Sequence, residues 1–186
     1  MNVHSYLARI KMLSTPRFPS FRCRKNQLLA AKGKDFVDAV QKFFDALPVF
    51  IIGKGYVITH AGPPRGGLVR EELINIKRYP EKYHQLLWNR LNEFHGNPSL
   101  KEYGEKDLRL VLDFLDLPPD THFIVGHNPL WNDGNKIGVW MNVIGIKNHH
   151  ILYSGYGSKA PYFTMEKGEL VCKQAMAQQV EAYHYG

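Results

Sequence analysis

The sequence predicts a domain of the α/β or α+β class, with a sheet core and helices beside it. Two observations support this prediction. Stretches with helical periodicity alternate with short apolar stretches through most of the 186 residues, and short strand-like stretches separated by turns fill the C-terminal part. With 44% apolar residues, the chain can also bury a sizeable core.

The first predicted element is a helix over residues 35–47, followed by a hairpin. Its apolar residues fall on one helical face. They are Phe36, Val40, Phe43, Phe44 and Leu47. Pro48 ends the helix because proline disfavours helical backbone in the residue before it. Two short apolar strands are then predicted over 49–52 and 56–59, joined by a Gly-Lys-Gly turn.

The remaining elements follow from the same patterns. Helices are predicted near 69–77, 81–92 and 105–117, and the last of these carries leucines and a valine on one face. Those residues are Leu108, Val111, Leu112 and Leu115. Strands are predicted over 122–125, 139–146, 150–154, 162–166 and 170–173.

The net charge of +7 comes from one segment. Residues 1–34 contain eight lysines and arginines and no acidic residue, whereas the rest has 16 basic and 17 acidic side chains. A local surplus gives little support for nucleic-acid binding. The segment has three interpretations, namely an organelle transit peptide, a basic arm for polyanions, or the surface of a domain that begins elsewhere. We favour the third.

Cysteine usage and hydropathy bear on the compartment. Cys23 and Cys172 are far apart and form no pair with ligand spacing, which argues against a disulfide framework or a cysteine zinc site. No apolar run approaches the roughly 20 residues that span a bilayer. We therefore expect a cytoplasmic protein without a membrane segment.

A histidine beside glycine follows a predicted buried strand at two places. His60 precedes Ala61-Gly62, and His127 follows Gly126. Loops at the C-terminal ends of sheet strands are where α/β folds bind ligands, and imidazole is the commonest metal ligand in proteins. The spacing alone leaves two interpretations open, because both histidines could equally pack in the core. It identifies no reaction.

Four segments, in order and spacing over roughly residues 35–171, resemble the protein-phosphatase branch of the calcineurin-like metallophosphoesterases. The first segment is residues 43–48, followed by a strand, the Gly-Lys-Gly turn and then Val57-Ile58-Thr59-His60-Ala61-Gly62-Pro63. The other three are Leu86-Leu87-Trp88-Asn89-Arg90, Ile124-Val125-Gly126-His127-Asn128-Pro129 and Tyr153-Ser154-Gly155. Asn128 replaces a threonine that the family has at this position.

The resemblance implies a fold and an organisation. The fold would be part of a calcineurin-like β-sandwich flanked by helices, with its N-terminal half missing. Residues 1–34 would be a basic N-terminal segment, 35–175 the C-terminal part of the phosphoesterase domain, and 176–186 a tail.

The resemblance also implies an activity, the hydrolysis of a phosphate ester by a metal-activated water. His60 and His127 would bind the same ion of a binuclear centre of divalent metals such as Mn, Fe or Zn. Arg90 would contact the substrate phosphate as catalytic and substrate-binding residue, and Asn128 would add a polar substrate contact. A solvated surface charge is the alternative interpretation of Arg90. The substrate would be a phosphoprotein, a nucleotide or a small phosphoester.

The chain departs from the family in lacking its acidic N-terminal motifs. Asp120-Thr121-His122 has the letters of one of them, but it comes before a strand instead of after it. Without the acidic ligands, we expect weak metal binding and no activity from this truncated chain. We also expect exposed apolar sheet surface and self-association through it.

Two alternatives to a phosphoesterase remain. One is a non-catalytic, decayed phosphatase fragment that acts as a binding module, and the other is an unrelated α/β protein with core histidines. His149 and His150 should point to opposite sides of a strand, so they are not predicted to chelate a metal together. We expect these two, with His84 and His95, to lie mostly at the surface.

Overall fold

The computed structural model describes residue 27 and residues 29–94, 99–128, 137–153 and 159–175. Most of the predicted basic segment 1–34, His95 and the predicted tail 176–186 lie outside the described residues. In chain order from Lys34, the helices and strands are α1 (Lys34–Ala46), β1 (Phe50–Gly53), β2 (Tyr56–Thr59), α2 (Arg70–Ile74), α3 (Pro80–Trp88), β3 (Arg90–Leu91), β4 (Glu102–Tyr103), α4 (Glu105–Phe114), β5 (His122–Val125), β6 (Val139–Met141), β7 (His149–Leu152), β8 (Pro161–Glu166) and β9 (Glu169–Gln174).

Within the described residues, five strands form one mixed sheet in the order β1-β2-β5-β7-β6. The three central strands run parallel, and β1 and β6 pair antiparallel at the two edges. Strands β8 and β9 form a separate hairpin, and β3 pairs with β4 over two residues. The predicted mixed α/β class is therefore confirmed. None of the described helices is long and apolar enough to cross a bilayer.

The core lies between one face of this sheet and helix α4. Val57 and Phe123 are register partners in β2 and β5, and both are buried against the helix side. Helix α4 buries three of the four apolar residues that the periodicity predicted, and the fourth, Leu115, is buried directly after the helix ends, so the predicted burial of this face is confirmed. The four residues are Leu108, Val111, Leu112 and Leu115. Side chains alternate between the faces of a strand, so the neighbours of Val57 and Phe123 point away from α4.

Helix α1 buries a different face from the predicted one. Val37 and Phe44, seven residues apart, are 3% and 4% exposed, whereas Phe36 and Phe43 are 45% and 57% exposed. Two residues separated by seven positions lie on the same side of a helix, two turns apart. The prediction was right for Phe44 and wrong for Phe36 and Phe43.

Several element boundaries differ from prediction, including the helices predicted near 69–77 and over 105–117, which end at Ile74 and Phe114. Two further differences have a local backbone reason. The helix predicted to reach residue 92 ends at Trp88, because Asn89 is extended with φ −61° and ψ 137°. The strand predicted to reach residue 146 ends at Met141, because Asn142 is left-handed with φ 48°. A left-handed residue cannot continue an extended strand, and asparagine tolerates this region better than most residues do.

His149 and His150 point to opposite sides of β7, as predicted, but their predicted surface position was wrong. Each is only 1% exposed. They stay buried because both rings have hydrogen-bond partners, which a buried imidazole requires. His149 contacts Tyr103 and the carbonyl of Phe123, and His150 contacts His122. His84 is half-buried.

Candidate metal centre

The parallel pairing of β2 with β5 brings the two histidine loops together. Thr59 and Val125, the last residues of the strands, are register partners. The backbone ladder continues one step further, because Gly126 N–H donates to the carbonyl of His60 at 3.1 Å. A Cβ at Gly126 would lie 3.4 Å from the Leu152 carbonyl and 3.7 Å from that of His60, which are ordinary contact distances.

The rings of His60 and His127 lie side by side, with centroids 5.2 Å apart and planes at 60°. In a five-membered ring with bonds of about 1.33 Å, each nitrogen lies about 1.2 Å from the ring centroid. With centroids 5.2 Å apart, a nitrogen of one ring can therefore be between about 2.8 and about 7.6 Å from a nitrogen of the other. Two nitrogens that share one zinc-like ion are at most about 4.2 Å apart. That separation lies within the range that the centroid distance allows, so the spacing of the two rings is compatible with one shared ion.

His127 is held in a neutral form with its Nε2 atom turned inward. Trp88 packs edge-on against the ring, with centroids 5.3 Å apart. Burial, and secondarily the positive charge of Arg90, lowers the pKa of His127 to about 4. Its Nε2 is shielded from solvent and has no hydrogen-bond partner among the described residues. A buried polar atom without a partner is uncommon and calls for an explanation such as a bound ion.

These features fit two positions of a metal site. The imidazole of His127 keeps its lone pair at neutral pH, and the Nε2 of His60 beside it is also shielded from bulk water. Borderline divalent ions such as Zn²⁺ favour imidazole nitrogen. However, the described residues contain no group of three or more His, Cys, Asp and Glu side chains placed to hold a metal ion. The pair therefore supplies two donors of a set that commonly needs four or more.

The C-terminal end of α3 holds in place the loop that begins at His60 after β2, which we call the His60 loop. Ala61 N–H donates to the carbonyl of Leu86 at 3.0 Å, and Gly62 N–H donates to the carbonyl of Asn89 at 3.2 Å. The side-chain amide of Asn89 donates to the carbonyl of Pro63 at 3.0 Å. Asn89 is 1% exposed, so these bonds are protected from water.

Asn89 is a site residue that sequence reasoning missed. Its segment was singled out for Arg90, but the helix was predicted to continue through it to residue 92. In the structure Asn89 is extended, and its side-chain amide bonds to the Pro63 carbonyl of the loop. The Leu-Leu-Trp-Asn-Arg motif indicated that this segment belongs to the site, but it did not indicate that Asn89 holds the His60 loop.

The two predicted substrate contacts flank the histidine pair differently. Arg90 is exposed, and its positive charge contributes to the lowered pKa of His127. Asn128 follows His127 and is 5% exposed, and its Oδ1 has no hydrogen-bond partner in the described part of the chain. Two other arginines near the His60 loop bond elsewhere. Arg65 donates to the carbonyl of Ser99 at 3.1 Å, and Arg70 donates to that of Leu115 at 3.5 Å.

In comparisons with known proteins, no family model matches this chain and no curated protein matches it. The resemblance to calcineurin-like phosphoesterases therefore depends on the sequence motifs alone.

Proposed function

We propose that this chain carries part of the active site of a metal-dependent phosphoesterase of the calcineurin-like class. His60 and His127 would be two ligands of one divalent ion. The observation that supports this most is their convergence, with ring centroids 5.2 Å apart and the inward Nε2 of His127 left without a partner among the described residues. Core histidines, by contrast, have their nitrogens paired, as those of His149 do.

Each residue has a defined role in this proposal. His60 and His127 hold the ion through Nε2, and Trp88 shields His127 from water on one side. Arg90, exposed beside the pair, binds phosphate oxygens with its planar guanidinium and adds positive charge where the phosphoryl group gains negative charge. Asn128, which follows His127 in the chain, would add a polar contact to the substrate, with its side-chain N–H₂ as the donor to a phosphate oxygen. The ion would lower the pKa of a bound water and neutralise phosphoryl charge.

The proposed substrate is a phosphate ester, carried by a phosphoprotein, a nucleotide or a small molecule. Arg90 and the ion would recognise the phosphate, which these substrates share. Because two imidazoles bind a divalent ion weakly, we expect this chain to be inactive unless carboxylate ligands reach the site from outside the described residues.

The test is metal binding, measured by isothermal titration with Zn²⁺ and by the visible absorption of Co²⁺. We expect weak binding that His60→Ala or His127→Ala reduces at least about tenfold. The matched control is His122→Ala, which removes another partly buried histidine from the opposite end of β5. Hydrolysis of p-nitrophenyl phosphate with Mn²⁺ should stay at the buffer rate. Equal metal affinity with and without His127 would exclude the proposal.

One observation favours a second candidate, a non-catalytic binding module. Ile51, Ile52 and Ile58 are 42%, 42% and 36% exposed on β1 and β2, and β1 is an edge of the sheet. An exposed apolar edge strand readily pairs with another chain. A chain that binds no metal and still associates through this edge would favour this candidate over the phosphoesterase.

A further inference from the structure

Tyr103 and His149 form a buried polar link between the His60 loop and β5. Tyr103 is fully buried, and its Oη lies 2.9 Å from Nε2 of His149. The other ring nitrogen of His149, Nδ1, lies 3.0 Å from the carbonyl of Phe123. A carbonyl only accepts, so Nδ1–H donates to Phe123, and Nε2 accepts from the Tyr103 hydroxyl. Both bonds therefore require a single tautomer of His149.

One end of this link contacts the His60 loop. The Tyr103 ring lies where a side chain at Gly62 would be, since a Cβ there would be 1.9 Å from two ring carbons. Gly62 is two residues from His60 and is tied to α3 through Asn89. A shift of the Tyr103 ring toward Gly62 would therefore press on this loop, and a shift away would leave it unsupported.

The other end of the link contacts the strand that carries His127. Phe123 belongs to β5, which leads directly into the His127 loop. Tyr103 lies in β4 and is held to the segment after β3, because its carbonyl accepts the Asn92 N–H at 2.9 Å. The link thus joins β4, the His60 loop, β7 and β5 through two buried hydrogen bonds and one ring contact.

We propose that Tyr103 and His149 are positioning residues that set the separation of His60 and His127. Neither touches the proposed ion or the substrate. The Tyr103 ring sets the position of the His60 loop, and the hydrogen bonds through His149 fix that ring relative to β5. As a statement about metal affinity, this inference rests on the proposed function. As a statement about ring geometry, it holds for the metal-free chain as well.

Two variants test the two ends of the link. Tyr103→Phe keeps the ring against Gly62 and removes only the hydroxyl, so Nε2 of His149 loses its donor. His149→Gln keeps an acceptor for the Tyr103 hydroxyl and loses the donor to Phe123. Tyr162→Phe is the matched control, because Tyr162 is 43% exposed on the separate β8–β9 hairpin.

The main measurement is NMR of the metal-free chain with ¹⁵N-labelled histidine. In the wild type we expect a hydrogen-bonded, unprotonated Nε2 on His149 and a ring-to-ring nuclear Overhauser effect between His60 and His127. Tyr103→Phe should weaken this effect at least about twofold and broaden mainly His60, and His149→Gln should broaden mainly His127. Urea unfolding of each variant identifies one that does not fold, and the other variant then carries the test.

The metal titration separates this inference from the proposed function. We expect Tyr103→Phe to weaken Co²⁺ binding about tenfold, as loss of an outer-shell partner commonly does. If the wild type binds no metal and the ring effect still changes, the proposed function fails and the positioning role stands. If both variants fold and keep the wild-type ring effect, the positioning role is refuted, whatever the metal affinity.

Discussion

Acid should destabilise the fold by charging histidines that the folded chain keeps neutral, and His149 is the clearest case. Burial is the main cause that lowers its pKa from the ordinary 6.5 to about 4. Between these values the unfolded chain binds a proton that the folded chain does not. Stability from this group is therefore fully present above about pH 6.5 and is lost as the pH falls toward 4.

The magnitude follows from the two pKa values. The difference between 6.5 and about 4 corresponds to about 3 kcal/mol of stability in full. A drop from about pH 7.5 to about pH 5 covers part of that range and should remove about 2 kcal/mol through His149 alone. His150 is as deeply buried, and its pKa is also lowered to about 4, so the whole protein should lose more than this.

The assay is urea unfolding at both pH values for the wild type, His149→Gln and a control. The substitution itself costs stability at the higher pH, so the informative quantity is the change between the two pH values. For His149→Gln, the decrease in the free energy of unfolding between the two pH values should be smaller than that of the wild type by about 2 kcal/mol. His84→Gln, at a half-exposed site, should reduce the loss much less. Equal pH dependence in the wild type and His149→Gln would refute the reasoning.

Two further predictions concern the His60 loop and the sheet edge. Gly62→Ala should destabilise the fold by about 2 kcal/mol or more, because its Cβ would overlap the Tyr103 ring. Gly126→Ala is the control, with a nearest contact of 3.4 Å, and equal thermal midpoints for the two variants would contradict the prediction. Self-association in sedimentation velocity should decrease for Ile51→Lys, because a charge on the exposed edge strand β1 opposes pairing with another chain. If the variant associates as strongly as the wild type, self-association does not use this edge and the prediction is wrong.

The parts of the fold that local periodicity determines were predictable from the sequence. Strands β2 and β5 and the buried face of α4 agree with their patterns, and the convergence of His60 and His127 follows once β2 and β5 are parallel neighbours. The buried position of His149 was not predictable. It depends on a hydroxyl 46 residues earlier in the chain, and sequence spacing does not reveal such a long-range contact.

The backbone bond from Gly126 to His60 has a consequence for how this chain can vary. The spacing of the two histidines depends on strand register and on the contacts that hold the His60 loop, and not on the total length of the connection between the strands. Insertions in that connection away from the His60 loop and from its contacts with Leu86, Asn89 and Tyr103 should therefore leave the pair intact. A single residue inserted between Thr59 and His60 would instead turn that imidazole to the opposite side of the sheet. Natural or engineered changes in length should therefore be tolerated within those parts of the connection between β2 and β5 and should not occur between Thr59 and His60.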